Sequence, residues 1–460
     1  MKGVLLPVAA GLLVLFTGCK HVVRTDVTPA IAPPAAYSIA TLPSSTATGA
    51  WWREFNDPYL TAYIQKALTN NFTIRQGIAR VRQALAQARA GGARLKPELD
   101  GALSADTSRF ADGDHSESYR LSLNLSWEID LWDRLSSAAR ADALEYEARR
   151  DALQDLAFLV ASQVATAYFG IIEDTLTLAL LDRQIKTNET VLGLIRLRVG
   201  NGLASLVDIY QQKHQLAALT AQAPIVKARR TENINRLAAL TGAPPVSLMP
   251  EVSSDLPSPA SLPAAGIPAA LLERRFDLRQ LQQELLAADQ RVAVAVAERL
   301  PGIRIGGSMG LKGAALAGDN LFLSLFGEAL APLLDWGRRR EEVERTTAVV
   351  DEKIAAYADR FLTAMAEVEN SMHTEERLRE YSQALAMQEK IAGDTFREAK
   401  NRYLQGATDY LPVITALQST QRLEQDMLQA RGRLAINRIR LYRALGGPAP
   451  LSSADRPSIQ

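Results

Sequence analysis

The side chains able to do chemistry are few in this 460-residue chain, and their spacing excludes most of it. Four histidines, His21, His115, His214 and His373, stand too far apart to share a metal-ligand motif. Glu341-Glu342 pairs two carboxylates on a long helical stretch, where a solvated face is the ordinary reason for them. Gly200-Asn201-Gly202 begins like a dinucleotide-binding turn, yet it lacks the third glycine and follows a helix rather than a strand. No phosphate-binding loop is written, so energy must come from a partner. The 52 basic and 51 acidic residues cancel, which removes the bulk electrostatic argument for nucleic acid. Neither an enzyme nor a metal or small-molecule cofactor is expected.

The exception is the single cysteine, Cys19. Met1-Lys2 opens the chain, an apolar run extends from Gly3 to Phe16, and Thr17-Gly18 precede the thiol. A basic start, a short apolar core and small residues make a secretory signal rather than a spanning helix. Small residues directly before a cysteine resemble the bacterial lipoprotein signal. Residues 1–18 are therefore expected to be removed, leaving a covalent lipid on Cys19. Phe16 stands where that pattern usually carries Leu. Lys20 after the cysteine reads as an outer-membrane address. Residues 19–50, rich in Pro, Ala, Ser and Thr, read as an extended lipidated tether. No later window is expected to supply the roughly 18 apolar residues of a spanning helix.

The elements that must carry everything else are written twice, in one frame, at an offset of 204 residues. Pro97 returns as Pro301, Trp132 as Trp336, Arg198 with Gly202 as Arg402 with Gly406, and Gly242 as Gly446. Repeat 1 spans 51–242, a Pro-rich linker 243–268, repeat 2 269–448 and a short tail 449–460. Each repeat reads helix, hairpin, very long helix, turn, long helix. Leu153, Leu156, Val160, Val164, Ala167 and Ile171 recur at threes and fours with no proline between. The long helices are expected at 134–199 and 205–241, then at 338–404 and 408–445. A helix of 66 residues is about 100 Å long, so these must pack side by side as coiled coils. An opening helix over 71–95, fraying at Gly91-Gly92, would stack end to end on the return helix and match the long one. The second repeat predicts an opening helix over 269–298.

The only convincing strands lie between those helices, at about 99–128 and 302–330. Tyr119, Leu121, Leu123, Leu125 and Trp127 alternate with Arg120, Ser122, Asn124, Ser126 and Glu128. Strands of this length, apolar on one face and polar on the other, fit a lipid-facing barrel around water. Two hairpins give four strands, which cannot close, and open edges cannot sit in hydrocarbon. Three copies would supply twelve. Phe322 and Phe326 interrupt the polar face of the last strand, and nothing in the pattern explains them.

Trp51-Trp52-Arg-Glu-Phe55-Asn-Asp57-Pro58 and the start Asn71-Phe72-Thr-Ile-Arg75 resemble the opening of the outer-membrane efflux channel family, relatives of TolC. The likeness is to the lipoprotein branch that serves RND-type pumps. Trp127-Glu128-Ile-Asp130-Leu131-Trp132-Asp133-Arg134 resembles that family's strand-to-helix corner, as does Pro332-Leu-Leu-Asp335-Trp-Gly337-Arg338. The resemblance implies an α+β membrane protein: a homotrimeric twelve-stranded barrel in outer-membrane lipid, continued by a long helical coiled-coil barrel through the periplasm. It implies a multidrug-type exit duct fed by an inner-membrane pump through a periplasmic adaptor. The rival reading is a non-conducting, lipid-anchored periplasmic scaffold.

The turns after the long helices resemble the family's periplasmic tips. The resemblance places adaptor docking at Arg198, Gly202, Ser205 and Asp208, and at Arg402, Gly406 and Asp409. Each of these is also a competent capping residue. It places the gate at Leu411 and Thr415, with Asp409 beside them. Thr415 stands where relatives usually carry Asp, so an acidic ring at that level would have to come from Asp409 or Asp208. Ser205 against Asp409, and Asp208 against Pro412, mark where the two repeats differ.

Overall fold

The computed structural model describes residues 21, 23–24, 31–39, 50–109, 115–257, 262–263, 265–313 and 321–451. Cys19 and residues 1–18 lie outside them. Seven main helices and four strands follow in order: α1 (Pro58–Asn70), α2 (Phe72–Ala93), β1 (Glu98–Arg109), β2 (His115–Ile129), α3 (Arg134–Gly200), α4 (Leu206–Leu240), α5 (Phe276–Ala297), β3 (Gly302–Gly313), β4 (Leu321–Leu330), α6 (Arg338–Leu404) and α7 (Tyr410–Leu445). α3 and α6 are each 67 residues long. α3 packs against α2, α4, α5 and α7, and α6 against α5 and α7.

The short helices do stack end to end, and one side chain joins each pair. The Asn71 Oδ1 accepts from Thr73 N at 2.8 Å and Ile74 N at 3.1 Å, capping the start of α2. Its Nδ2 donates to the Leu240 carbonyl at the end of α4, 2.9 Å away. One amide thus satisfies orphan groups of two helix ends. At the position 204 residues on, Arg275 donates to the Ala444 carbonyl at 3.1 Å. Burial alone would raise the Asp277 carboxyl, but Arg275 and Arg360 outweigh it and hold it below the usual carboxylate range. The expected 269–298 helix is accordingly broken at Arg275, because the arginine splices rather than continues.

Gly242 (φ 72°) and Gly446 (φ 69°) turn the chain at these junctions. A Cβ on Gly242 would fall 2.7 Å from the Asn70 carbonyl oxygen. Gly242→Ala is therefore expected to destabilise by about 2–4 kcal/mol. Gly200→Ala, with nothing near its Cβ, should be neutral or gain up to about 1 kcal/mol. Thermal unfolding of the two variants checks the contrast, and equal effects would refute it.

Two other expectations change. Gly91 does not mark fraying: it is buried, and a Cβ there would meet Asp142 Oδ2 at 2.6 Å. One stretch of α3 is, by composition, long and apolar enough to cross a membrane, but 67% of it is buried inside the protein. Its apolarity is spent on packing. The described part of the expected tether also lies against the helices: Tyr37 is buried beside Leu278, Tyr357 and Phe361, and Ser38 N donates to Glu369 at 2.8 Å. Nearer Cys19, the His21 Nε2 lies 3.1 Å from Asp289 Oδ1. Trp51 then stacks between Phe158 and Tyr442, fastening this segment to α3 and α7.

The strands form one antiparallel sheet in the order β1-β2-β3-β4, with β1 and β4 as edges. Register keeps odd residues on one face and even residues on the other, as in Leu99–Leu125–Gly307–Leu325 and Asp100–Asn124–Ser308–Ser324. Phe322 and Phe326 are accounted for by pairing, since they stand opposite Gly310 and Gly306. The Phe326 ring covers the space where a Gly306 Cβ would be, 2.5 Å from its Cζ. Aromatic cover of a bare glycine is a known way to restore packing on a sheet.

Candidate functional site

The turn after α3 is closed by backbone geometry that only glycine adopts easily. Leu203 N donates to Arg198 O at 2.8 Å and Gly202 N to Val199 O at 3.0 Å, with Gly202 at φ 73°. The turn after α6 repeats it: Ala407 N to Arg402 O at 2.9 Å, Gly406 N to Tyr403 O at 3.1 Å, Gly406 at φ 76°. These are Schellman closures, and they satisfy the last carbonyls of each long helix.

The return helices begin differently. Ser205 and Asp208 form a reciprocal capping box: Ser205 Oγ accepts from Val207 N at 3.1 Å, and Asp208 Oδ2 from Ser205 N at 3.0 Å. Asp409, at the corresponding position, makes no side-chain cap and stays exposed. Ser205→Ala should cost about 1 kcal/mol locally. It would be read as faster hydrogen exchange at the first amides of α4, whereas Asp409→Ala should leave the first amides of α7 unchanged.

Arginine chemistry is equally uneven. Arg198 lies over the Tyr403 ring, 4.4 Å from its centroid, and donates to the Leu404 carbonyl at 3.3 Å. It therefore ties the end of α3 to the end of α6. Arg402 instead pairs with Glu398 on its own helix, 3.0 Å away, and is 65% exposed. A second tie runs between the return helices, where the Tyr410 hydroxyl donates to Gln212. Gln212 in turn donates to Asn188 Oδ1 at 2.8 Å. Burial pushes the Tyr403 phenol up despite Arg198, and burial also raises Tyr410. Both phenols stay protonated across the neutral range.

The structure thus brings Arg198, Gly202, Ser205 and Asp208 together at one tip and Arg402, Gly406 and Asp409 at the next. Leu411 and Thr415 lie on one face of α7, one turn apart, and both are exposed. They line an apolar groove with Ile391, Pro412 and Leu423. Sequence reasoning did not single out Tyr403, Tyr410 or Gln212. The one signal available for Tyr403 was the repeat itself, which has Val199 where this tyrosine stands. It also passed over Leu203, Leu206, Val207 and Tyr210, which expose a run of apolar surface at the first tip.

At the other end of the molecule, the odd-numbered sheet face is apolar and open. Leu121, Leu123 and Leu125 are about half exposed, and Leu325 is 82% exposed. Tyr119 and Trp127 flank this band, eight residues apart on β2, about 27 Å along a strand, which suits interface anchors. The even-numbered face carries Ser308 hydrogen-bonded to Ser324 at 2.6 Å. Its lower rim sets Glu128 beside Arg304 and Arg304 beside Glu328.

The family model described as "Outer membrane efflux protein" matches residues 63–243 and again residues 267–447. The chain is 29% identical over 468 residues to the pyoverdine export outer membrane protein OpmQ of Pseudomonas putida, covering 96% of each. Nodulation protein T of Rhizobium leguminosarum bv. trifolii is 26% identical, with 90% of this chain and 91% of that protein covered. The solved outer-membrane channel OprN superposes with a TM-score of 0.85 at 26% identity, over 92% of this chain and 99% of that one. The open state of the Neisseria gonorrhoeae MtrE channel shares the fold with a TM-score of 0.85 at 23% identity, over 93% and 98%. Two matched stretches, near-complete coverage and a sheet that is apolar on one face and polar on the other agree: the chain belongs to the outer membrane efflux protein family, a channel component of the outer membrane that extends into the periplasm and not an enzyme.

Proposed function

We propose that three copies of this chain close a twelve-stranded barrel in the outer membrane, continued by twelve helical strands into the periplasm. In this reading the protein is the passive exit duct of a tripartite efflux system. Substrate arrives from an inner-membrane RND-type pump through a periplasmic adaptor, and Cys19 carries the lipid anchor. The observation that carries the reading is the four-stranded sheet, with an exposed apolar face, a polar face and two open edges. Open edges in hydrocarbon leave backbone groups unsatisfied, so closure with other copies is required. The duplicated unit then gives six near-equivalent hairpins around one axis. Opening is a splaying of the tips, with Leu411, Thr415 and Asp409 at the gate. The two tips are the adaptor surface, where the exposed apolar side chains of the first tip join the named polar residues.

Relatives are named for pyoverdine export and for toluene efflux, so cargo varies while the duct is shared. Selection belongs to the pump. The test is the mass of the purified full-length protein in detergent and its migration on a gel before and after boiling. A three-chain species that collapses to one chain on heating is expected. A monomer would refute the reading and favour the scaffold.

A further inference from the structure

Charge on the even-numbered face of the sheet is balanced or acidic over most of its length. At the rim nearest the long helices, register sets Arg304 between Glu128 and Glu328. The next two rows outward carry one carboxylate each, Glu98 opposite Ser126 and Asp100 opposite Asn124. The row after them, Ala102 with Ser122 and Gly310, is uncharged. Arg120 then stands directly opposite Lys312, with Ser104 on its other side. Like charges directly opposed across a strand pair are destabilising. Both side chains are exposed, and neither has a hydrogen bond or ion pair among the described residues. By register the closest carboxylate on this face, among the described residues, is Asp106, one row further out and diagonal to Arg120. One acid thus stands against two cations.

The repeat does not account for this pair. The residues 204 positions away are Ser324 for Arg120 and Ser108 for Lys312, so the cations belong to the β2–β3 junction alone. Packing does not account for it either, since both heads stand clear of the protein. Tyr119, beside Arg120 on the opposite face, lies at the end of the apolar band away from the helices. That places the row just inside the outer mouth. We infer that Arg120 and Lys312 form a cationic ring there, a binding site for carboxylate or phosphate groups that pass along the duct. In the trimer proposed above, the row becomes three such pairs around one axis. Rings of basic side chains favour anions in a pore, and low-dielectric walls focus their field. Four residues separate Arg120 from the Asp100 row, about 14 Å along a strand. This exceeds a Debye length of about 10 Å in 0.1 M salt, so a passing anion meets an acidic zone and then a basic one.

The ring rests on the barrel proposed above and adds a preference of charge to it. The test is single-channel recording of the purified full-length protein in a planar bilayer, with inorganic tripolyphosphate as the probe. The probe should reduce the current in about 0.1 M KCl, and the reduction should largely vanish in about 1 M KCl, where the Debye length is about 3 Å. Arg120→Gln with Lys312→Gln should raise the half-blocking concentration about tenfold, a loss of roughly 1.4 kcal/mol of binding. Only Glu98, Asp100 and Asp106 would then charge this part of the face, so the zero-current potential across a KCl gradient should move toward cation preference. Arg120→Lys, which keeps the charge, should be blocked like the unaltered protein. Removing two opposed charges should not weaken assembly, so the double variant should keep its heat-sensitive trimer band; loss of that band would make the pair structural and overturn the site. Channels that the probe does not block, or blocks equally in the double variant with the same zero-current potential, would overturn the ring and leave the duct standing. A protein that inserts without carrying current would overturn both.

Discussion

Leu123→Arg is expected to abolish assembly into the outer membrane, while Asn124→Arg, one residue along the same strand, is expected to be tolerated. Leu123 lies on the odd face, 48% exposed, in a row with Met309 and Leu323. A charge at the bilayer midplane on the lipid side of a barrel costs about 2–4 kcal/mol. Three copies multiply this to about 6–12 kcal/mol, comparable with the whole stability of an ordinary domain. Asn124 faces the opposite way, beside Ser308, where water solvates a guanidinium. Fractionation of membranes and the heat-sensitive trimer band give the readout. A water-soluble sheet would predict the reverse ease at Leu123, because an exposed leucine on a soluble surface accepts arginine with little penalty. Equal tolerance of both variants would therefore place this sheet outside lipid.

The second large effect belongs to the tips. Arg198→Ala should loosen the tie between the ends of the two long helices, and Arg402→Ala should do far less to the contact within one chain. Arg198 gives up both a cation–π contact with Tyr403 and a hydrogen bond to Leu404 O. Together these are worth about 1–3 kcal/mol per chain for a half-buried group. Arg402 loses a single pair within its own helix, and such exposed pairs contribute little. The repeat explains the difference. The residue that would receive Arg402 from a neighbouring copy is Val199, which offers no ring. In the trimer proposed above, ties within a chain would then be stronger than those between chains, and a six-part ring would become three rigid pairs. Leakage of a large polar dye into cells producing each variant measures the effect. Increased leakage from Arg198→Ala but not from Arg402→Ala is expected; the opposite order would contradict the assignment.

Much of this architecture is legible in residue order because the features that set it are local. Gly202 and Gly406 reverse helices by taking positive φ, Ser205-x-x-Asp208 writes its own cap, and period-two alternation sets the apolar face of the sheet apart from the polar one. What escaped depends on distant partners. The short helix α1 is announced locally by the Asp57-Pro58 cap and start, but the break at Arg275 carries no stop signal in its own sequence; it exists because Arg275 reaches the Ala444 carbonyl and Glu367. Arg198, expected at the docking surface, also lies over Tyr403, 205 positions away, a contact that no local pattern announces. Residues 31–39 have the composition of a tether, yet Tyr37 finds an apolar site between Leu278 and Phe361. Phe322 and Phe326 look like errors of alternation until β3 places Gly310 and Gly306 opposite them.

Closure of the sheet with other copies around a water-filled duct is tested most directly by single-channel recording of the purified full-length protein in a planar bilayer. Discrete current steps are expected from the trimer, larger and more frequent in Arg198→Ala. A protein that inserts as a trimer and carries no current in either form would contradict it.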